Sequence, residues 1–205
     1  MDPNPDPDPP TVPDPDPVVT AARRVTDALQ PRNVLLGGML AIGASAAGHW
    51  TGLLWGLLGA LCAGIVPAAY IEWERGRGRW GDRHVVDRTK RAPIFFVILG
   101  SIGTGSALMV LGGAPTGILI AMLALWVMTV GLLAVNTVWK ISVDSAVASS
   151  VVTLLACVHS AWWLLAYGVT AAVCWSRVAL RYHTTAQTLA GAGLGAATAL
   201  AYLPG

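Results

Sequence analysis

Long uncharged runs alternate with short polar breaks along most of this chain. No Asp, Glu, Lys or Arg occurs in residues 33–71, 92–139 or 145–176. Because one membrane crossing takes about 20 apolar residues, the first two runs predict two crossings each. Their turns are expected near residues 48–51 and at Gly112–Pro115, where glycine and proline interrupt the apolar pattern.

The third run is expected to divide at His159–Ser160 into two shorter helices, and residues 184–205 supply one more crossing. The pattern therefore predicts an all-α fold, a polytopic transmembrane helix bundle of six to seven crossings. A composition that is 55% hydrophobic and only 12% charged agrees with this interpretation, because soluble domains carry about 25% charged residues.

The N-terminal region follows a different pattern. Residues 1–17 alternate proline with acidic residues and hold eight of the thirteen prolines, a composition that cannot bury a core and predicts a disordered tail. Residues 18–30 predict a short amphipathic helix at the membrane interface, and Pro31 is expected to end it. The predicted domains are therefore residues 1–32, the tail and interfacial helix, and residues 33–205, the membrane domain.

Seven crossings would place every charged residue on one side of the membrane. The chain holds 13 basic and 11 acidic residues, and a basic excess marks the cytoplasmic side. We therefore expect a multi-pass protein of the cell membrane with its charged loops in the cytoplasm. Helices rich in glycine and alanine favour a bacterial plasma membrane. Membrane lipid is the expected partner, and nucleic acid is not.

Three polar breaks, residues 75–91, 140–144 and 176–187, are expected to converge on that side as one basic pocket. Arginine binds phosphate oxygens bidentately and lysine acts as a point charge, so the pocket suits a lipid phosphate. Basic loops that only orient the protein explain the first break equally well. Arg177 could bind a phosphate and His183 could attack it. Setting the orientation of the protein in the membrane requires neither of these roles.

Residues 176–183, SRVALRYH, resemble the third signature of the type 2 phosphatidic acid phosphatase superfamily of membrane lipid phosphatases. That signature reads Ser-Arg, five residues, His, three residues, Asp. Residues 141–144, Ile-Ser-Val-Asp, are partly similar to the second signature, Pro-Ser-Gly-His. Residues 82–93, DRHVVDRTKRAP, are loosely similar to the first, which is Lys, six residues, Arg-Pro. The order of the motifs agrees with the family over residues 75–203.

The resemblance implies hydrolysis of a lipid phosphate, such as phosphatidate, a prenyl phosphate or a diphosphate. It makes His183 the nucleophile, which becomes a phosphohistidine, and Arg177 a phosphate clamp. Lys140 is an additional cation outside the family motifs. The remaining phosphate contacts that the resemblance implies are Arg83 or His84 for the family lysine, Arg91 for the family arginine, and Ser142.

Two residues depart from the family pattern. Gln187 stands where the aspartate belongs; its amide oxygen can accept the ring proton of His183 but cannot stabilise an imidazolium charge as a carboxylate does. Asp144 stands where the family has its general-acid histidine. We expect Asp144 to be ionised and paired with His183 or an arginine. Protonation of the leaving oxygen then falls to water, to His84 or to no group at all, and a diphosphate leaving group would need it least.

These departures support an alternative function. The protein would then be a weakly active or inactive family member that binds lipid phosphate or acts structurally. A small transporter has less support, because no charged residue lies in the middle of a predicted crossing. No spacing of His, Cys, Asp and Glu suggests a metal site, and no cofactor is expected.

Overall fold

The computed structural model describes residues 16–77 and 92–201, and these residues are folded into helices joined by short turns. A π-helical segment covers Leu61–Ile65, and a 3₁₀ segment covers Ala161–Ala166. The predicted all-α class is confirmed over these residues. The α-helices are α1 (Pro17–Ala28), α2 (Pro31–Ala46), α3 (His49–Ala60), α4 (Val66–Gly76), α5 (Ala92–Leu111), α6 (Thr116–Val138), α7 (Val143–Val158), α8 (Tyr167–Ala179) and α9 (Thr185–Leu200).

Three stretches of helix are long and apolar enough to cross a membrane. They are Trp50–Gly76 with 27 residues, Pro93–Leu111 with 19 and Thr116–Val138 with 23. The predicted turn between the last two lies at residues 112–115 as expected, and Gly113 there has a φ of 72°, which glycine adopts without steric cost.

Contacts between the helices show an up-and-down order. Arg32, at the start of α2, pairs with Glu72, near the end of α4, at 2.7 Å. The Ser142 N–H, at the start of α7, donates to the carbonyl of Gln187, near the start of α9, at 3.2 Å. This end of the bundle is termed the charged end, because the described Asp, Glu, Lys and Arg of α2 to α9 lie at helix ends here.

The first helix ends earlier than expected and is not isolated from the bundle. α1 ends at Ala28, two residues before the predicted end at Gln30, and Pro31 begins α2. Proline is favoured at the first helical position because no hydrogen bond from its nitrogen is needed there. The predicted domain boundary after residue 32 therefore falls inside α2. Ala22 is fully buried, and Thr26 donates to the Ser176 hydroxyl on α8 at 3.2 Å.

α7 lies at the centre of the bundle. Its residues 145–155 are all buried, because α2, α6, α8 and α9 contact it on different sides. The approach of α9 is especially close. A methyl group on Gly191 would collide with the carbonyl of Ser142, and one on Gly195 with the carbonyl of Ala146. Small residues at such positions let two helix backbones come together.

The π-helical segment has an identifiable cause. Pro67 has no N–H to continue the regular ladder, and proline in a helix displaces the carbonyls of the preceding turn. The Val66 N–H donates to the Leu61 carbonyl, one residue further back than in an α-helix. Ser101 of α5 donates its hydroxyl to the Cys62 carbonyl at 2.6 Å, which gives this carbonyl a partner from a neighbouring helix.

Candidate functional site

Two of the three predicted polar breaks meet at the charged end, where α7 begins, α8 ends and α9 begins. Lys140 donates from Nζ to the Tyr182 carbonyl at 2.6 Å, and the His183 N–H donates to the Arg177 carbonyl at 3.2 Å. These contacts bring together the residues that we term the polar cluster, which are Lys140, Ser142, Asp144, Arg177, His183 and Gln187.

The chain reverses sharply after α8, and this turn places His183 beside Arg177. The Arg181 N–H donates to the Val178 carbonyl at 2.9 Å, and the Tyr182 N–H donates to the Arg177 carbonyl at 3.0 Å. This pair of bonds is the Schellman arrangement that often ends a helix. Arg181 takes the left-handed position with a φ of 55°, where glycine is usual.

Arg177 is paired with Asp144 across the gap between α8 and α7. Its Nη2 lies 2.9 Å from Oδ1 of Asp144, and the two side chains are only 11% and 18% exposed. The expected pairing of Asp144 with an arginine is therefore observed. The buried Nε of Arg177 has no hydrogen-bond partner among the described residues.

Ser142 has a structural role that the sequence interpretation did not include. It is fully buried and caps α7, where its hydroxyl accepts the Ser145 N–H at 3.4 Å. The same hydroxyl lies 3.0 Å from the Ser145 hydroxyl. The phosphate contact that was predicted for Ser142 would need a polar atom on the surface of the site, and the structure does not expose one.

Gln187 is likewise part of a helix cap. Its Oε1 accepts the Thr184 N–H at 3.1 Å, and its own N–H donates to the Thr184 hydroxyl at 3.3 Å. This reciprocal capping box starts α9. The capping pattern, Thr-x-x-Gln at residues 184–187, was visible in the sequence. Helix capping thus accounts for Gln187, and its support of the His183 ring stays a prediction.

The first predicted motif lies outside the described part of the chain. Arg83, His84 and Arg91 all fall in residues 78–91, so their predicted phosphate contacts stay predictions. The described end of α4 still carries basic side chains, and the guanidinium of Arg77 stacks over the Trp73 ring at 4.2 Å.

The polar cluster contains the groups that an oxyanion site needs. A partly buried arginine with an unbonded donor can hold a phosphoryl oxygen, and the half-buried His183 follows it on the same turn. Residues 16–77 and 92–201 contain no group of three His, Cys, Asp or Glu side chains that could hold a metal ion. A separate open cleft of about 310 Å³ is lined by His159, Ser160, Trp162, Trp163 and Ala166, at the opposite end of the bundle.

No family model matches the chain, and neither a curated protein nor a solved structure matches it. The resemblance to the lipid phosphatases stays a prediction from the signature residues. The clearest are Arg177 and His183.

Proposed function

We propose that the protein hydrolyses a lipid phosphate at the polar cluster, as the resemblance to type 2 phosphatidic acid phosphatases implies. The observation that carries this proposal is the side chain of Arg177. Its buried Nε has no partner among the described residues, and its carbonyl holds the backbone of His183 at 3.2 Å. The predicted clamp and the predicted nucleophile therefore belong to the same turn at the charged end.

The reaction proceeds in two steps. A ring nitrogen of His183 attacks phosphorus, the phosphorus–oxygen bond to the lipid breaks, and a phosphohistidine forms. The leaving oxygen takes a proton from water or, in a diphosphate, leaves as a phosphate that needs no proton. Water then attacks phosphorus, the phosphorus–nitrogen bond breaks, and inorganic phosphate is released. Arg177 and Lys140 stabilise the charge on the phosphoryl oxygens throughout.

A panel of lipid substrates tests this proposal. Purified protein in detergent is incubated with phosphatidate, a prenyl phosphate and a prenyl diphosphate, and the released phosphate is measured. We expect the diphosphate to react fastest and His183→Ala to abolish release. His159→Ala is the matched control, because His159 bonds to Ser45 at 3.1 Å at the opposite end of the bundle. Release that persists in His183→Ala would exclude His183 as the nucleophile.

A second candidate function is binding of a lipid phosphate without turnover. It is favoured by the Asp144–Arg177 ion pair, which neutralises part of the clamp, and by the Gln187 oxygen, which is used in the cap of α9. Vesicles that contain phosphatidate distinguish the two functions. Binding to these vesicles with no release from any substrate in the panel would establish the second candidate.

We also propose a topology for the whole protein. In it, α2, the joined α3–α4, α5, α6, α7, α8 and α9 each cross a bacterial plasma membrane, and the charged end faces the cytoplasm. The up-and-down order of the helices supports this arrangement, as does the location of the described charges at one end. An excess of basic residues favours the cytoplasmic side for that end.

A further inference from the structure

One face of α8 carries polar side chains along its whole length. Tyr167, Thr170, Cys174 and Arg177 are spaced three, four and three residues apart, which places them on one side of a helix. Tyr167 and Cys174 form hydrogen bonds with residues of α7 that are four positions apart and so lie along one side of that helix. This polar interface is termed the α7–α8 seam, and its α7 residues are Ser145, Ser149 and Thr153.

The seam holds two groups of hydrogen bonds. Toward the opposite end, the Tyr167 hydroxyl lies 3.1 Å from the Ser149 hydroxyl and 2.7 Å from that of Thr153. Toward the charged end, Cys174 donates from Sγ to the Ser145 hydroxyl at 3.5 Å. Ser145 and Ser149 are four residues apart, so one helical turn separates the two groups.

Two buried polar atoms on the α8 side of the seam have no hydrogen-bond partner in the described residues. They are Oγ1 of Thr170, a side chain only 3% exposed, and Nε of Arg177. Leaving a buried polar group unpaired costs about 1–3 kcal/mol. Internal water removes that cost where two to four polar partners surround it. Along α8, Thr170 lies between Tyr167 and Cys174, the residues that make the two groups of bonds.

The seam differs from other hydroxyl positions in the bundle. Thr129 and Thr198 donate to carbonyls of their own helices, at 2.7 Å and 3.0 Å, and so need no other partner. Ser150 is also buried and unbonded among the described residues, and its backbone lies against Gly195 of α9. In the seam, Thr153 also donates to a carbonyl of its own helix, but Ser145, Ser149 and Thr153 all bond to side chains of α8 as well.

We propose that the α7–α8 seam holds internal water and conducts protons between Tyr167 and the Asp144–Arg177 ion pair. Each transfer breaks one O–H bond and forms the next, so hydroxyls and water are regenerated after each proton passes. Tyr167, half-buried at the start of α8, gives a proton to the seam and takes one back from its exposed side. The Asp144 carboxylate, 18% exposed, accepts the proton at the charged end and releases it to water there. This activity shares Asp144 and Arg177 with the proposed hydrolysis but does not require the predicted nucleophile His183 or Lys140.

Proton flux into vesicles tests the path. Full-length protein is reconstituted into lipid vesicles that enclose a pH-sensitive dye. A potassium gradient with valinomycin then drives protons across the vesicle membrane. We expect Thr170→Val to slow acidification about tenfold, because a methyl group removes one partner of the bridging water. Thr198→Val is the matched control and should conduct normally, and Thr170→Ser should restore the flux. Wild-type vesicles no more permeable than protein-free ones, or full conduction by Thr170→Val, would overturn the proposal.

Thiol chemistry provides an independent measurement of the water. In a protein with Cys62→Ala and Cys157→Ala, only Cys174 remains, and it lies within the seam. A small, charged methanethiosulfonate reagent reacts only with a hydrated thiol, so we expect Cys174 to be modified in folded protein. Gel filtration before and after labelling verifies the fold. An unreactive Cys174 that becomes reactive only after unfolding would show that the seam is dry.

Discussion

At the scale of single residues, the candidate site depends on how Asp144 and a phosphate share Arg177. Asp144 holds Nη2 at 2.9 Å, so an incoming phosphate must compete with a carboxylate. We expect Asp144→Asn to bind inorganic phosphate about tenfold more tightly, equivalent to about 1.4 kcal/mol. The neutral amide no longer neutralises the positive charge of the Arg177 guanidinium. Isothermal titration calorimetry with inorganic phosphate measures the affinity directly.

The same substitution has a structural cost, which gives a second readout. Removing one partner of a buried ion pair leaves a charge uncompensated, so the Tm of Asp144→Asn should fall. Glu72→Gln is the control, because its ion pair with Arg32 is 41% and 59% exposed and lies outside the polar cluster. An unchanged or weaker phosphate affinity in Asp144→Asn would show that Arg177 does not bind the anion.

Arg181 shows that the turn after α8 is held at a conformational cost. A side chain other than glycine at a φ of 55° costs about 1 kcal/mol relative to glycine. Arg181→Gly should therefore raise the free energy of unfolding by that amount. Arg181→Ala removes the same charge but keeps the strain, so it should give no such gain. Thermal unfolding in detergent compares the two variants. Equal stability of both would show that the backbone of Arg181 is not strained.

Residue roles were the least predictable part of the site. Arg177, Asp144 and His183 could be proposed from their order in the chain, and the pairing of Asp144 with an arginine could be proposed from charge alone. The roles of Ser142 and Gln187 at helix starts were missed, because the same side chain can contact a ligand or a backbone N–H. Only the location of the helix start decides between those uses.

At the scale of helices, close packing of α9 on α7 makes one glycine far less replaceable than its neighbour. A methyl group at Gly195 meets the backbone of Ala146, whereas one at Gly193 meets nothing within 4 Å. We expect Gly195→Ala to destabilise the protein by about 1–3 kcal/mol through overpacking. Gly193→Ala should be neutral or stabilise by up to about 1 kcal/mol. Thermal unfolding measures the change in stability of each variant. Equal changes would contradict the close contact between α9 and α7 at Gly195.

Helix ends were more predictable than helix partners. The breaks at residues 112–115, 140–142 and 159–160 follow from glycine, proline and polar residues in apolar runs. The docking of α1 on α8 through Ala22 and Thr26 was not predicted. An amphipathic pattern shows that one face is buried, but it does not identify the surface that covers it.

At the scale of the whole molecule, the number of crossings determines on which side the chain ends. Seven crossings with the N-terminal tail in the cytoplasm place Gly205 outside. A reporter enzyme fused after Gly205 should therefore be active only in its periplasmic form, and one fused after Arg77 only in its cytoplasmic form. A cytoplasmic signal after Gly205 would contradict the seven-crossing arrangement.

The π-helical segment (Leu61–Ile65) has a consequence for how the gene can change length. Elsewhere in a helix, losing one codon rotates all later residues by about 100°. Within this segment, the lost residue comes out of a widened turn, and α4 keeps its orientation. Deletion of Ala63 should thus preserve the pairing of Arg32 with Glu72, whereas a single deletion in α6 should not. Natural variants that differ by one residue are expected to have their gap here.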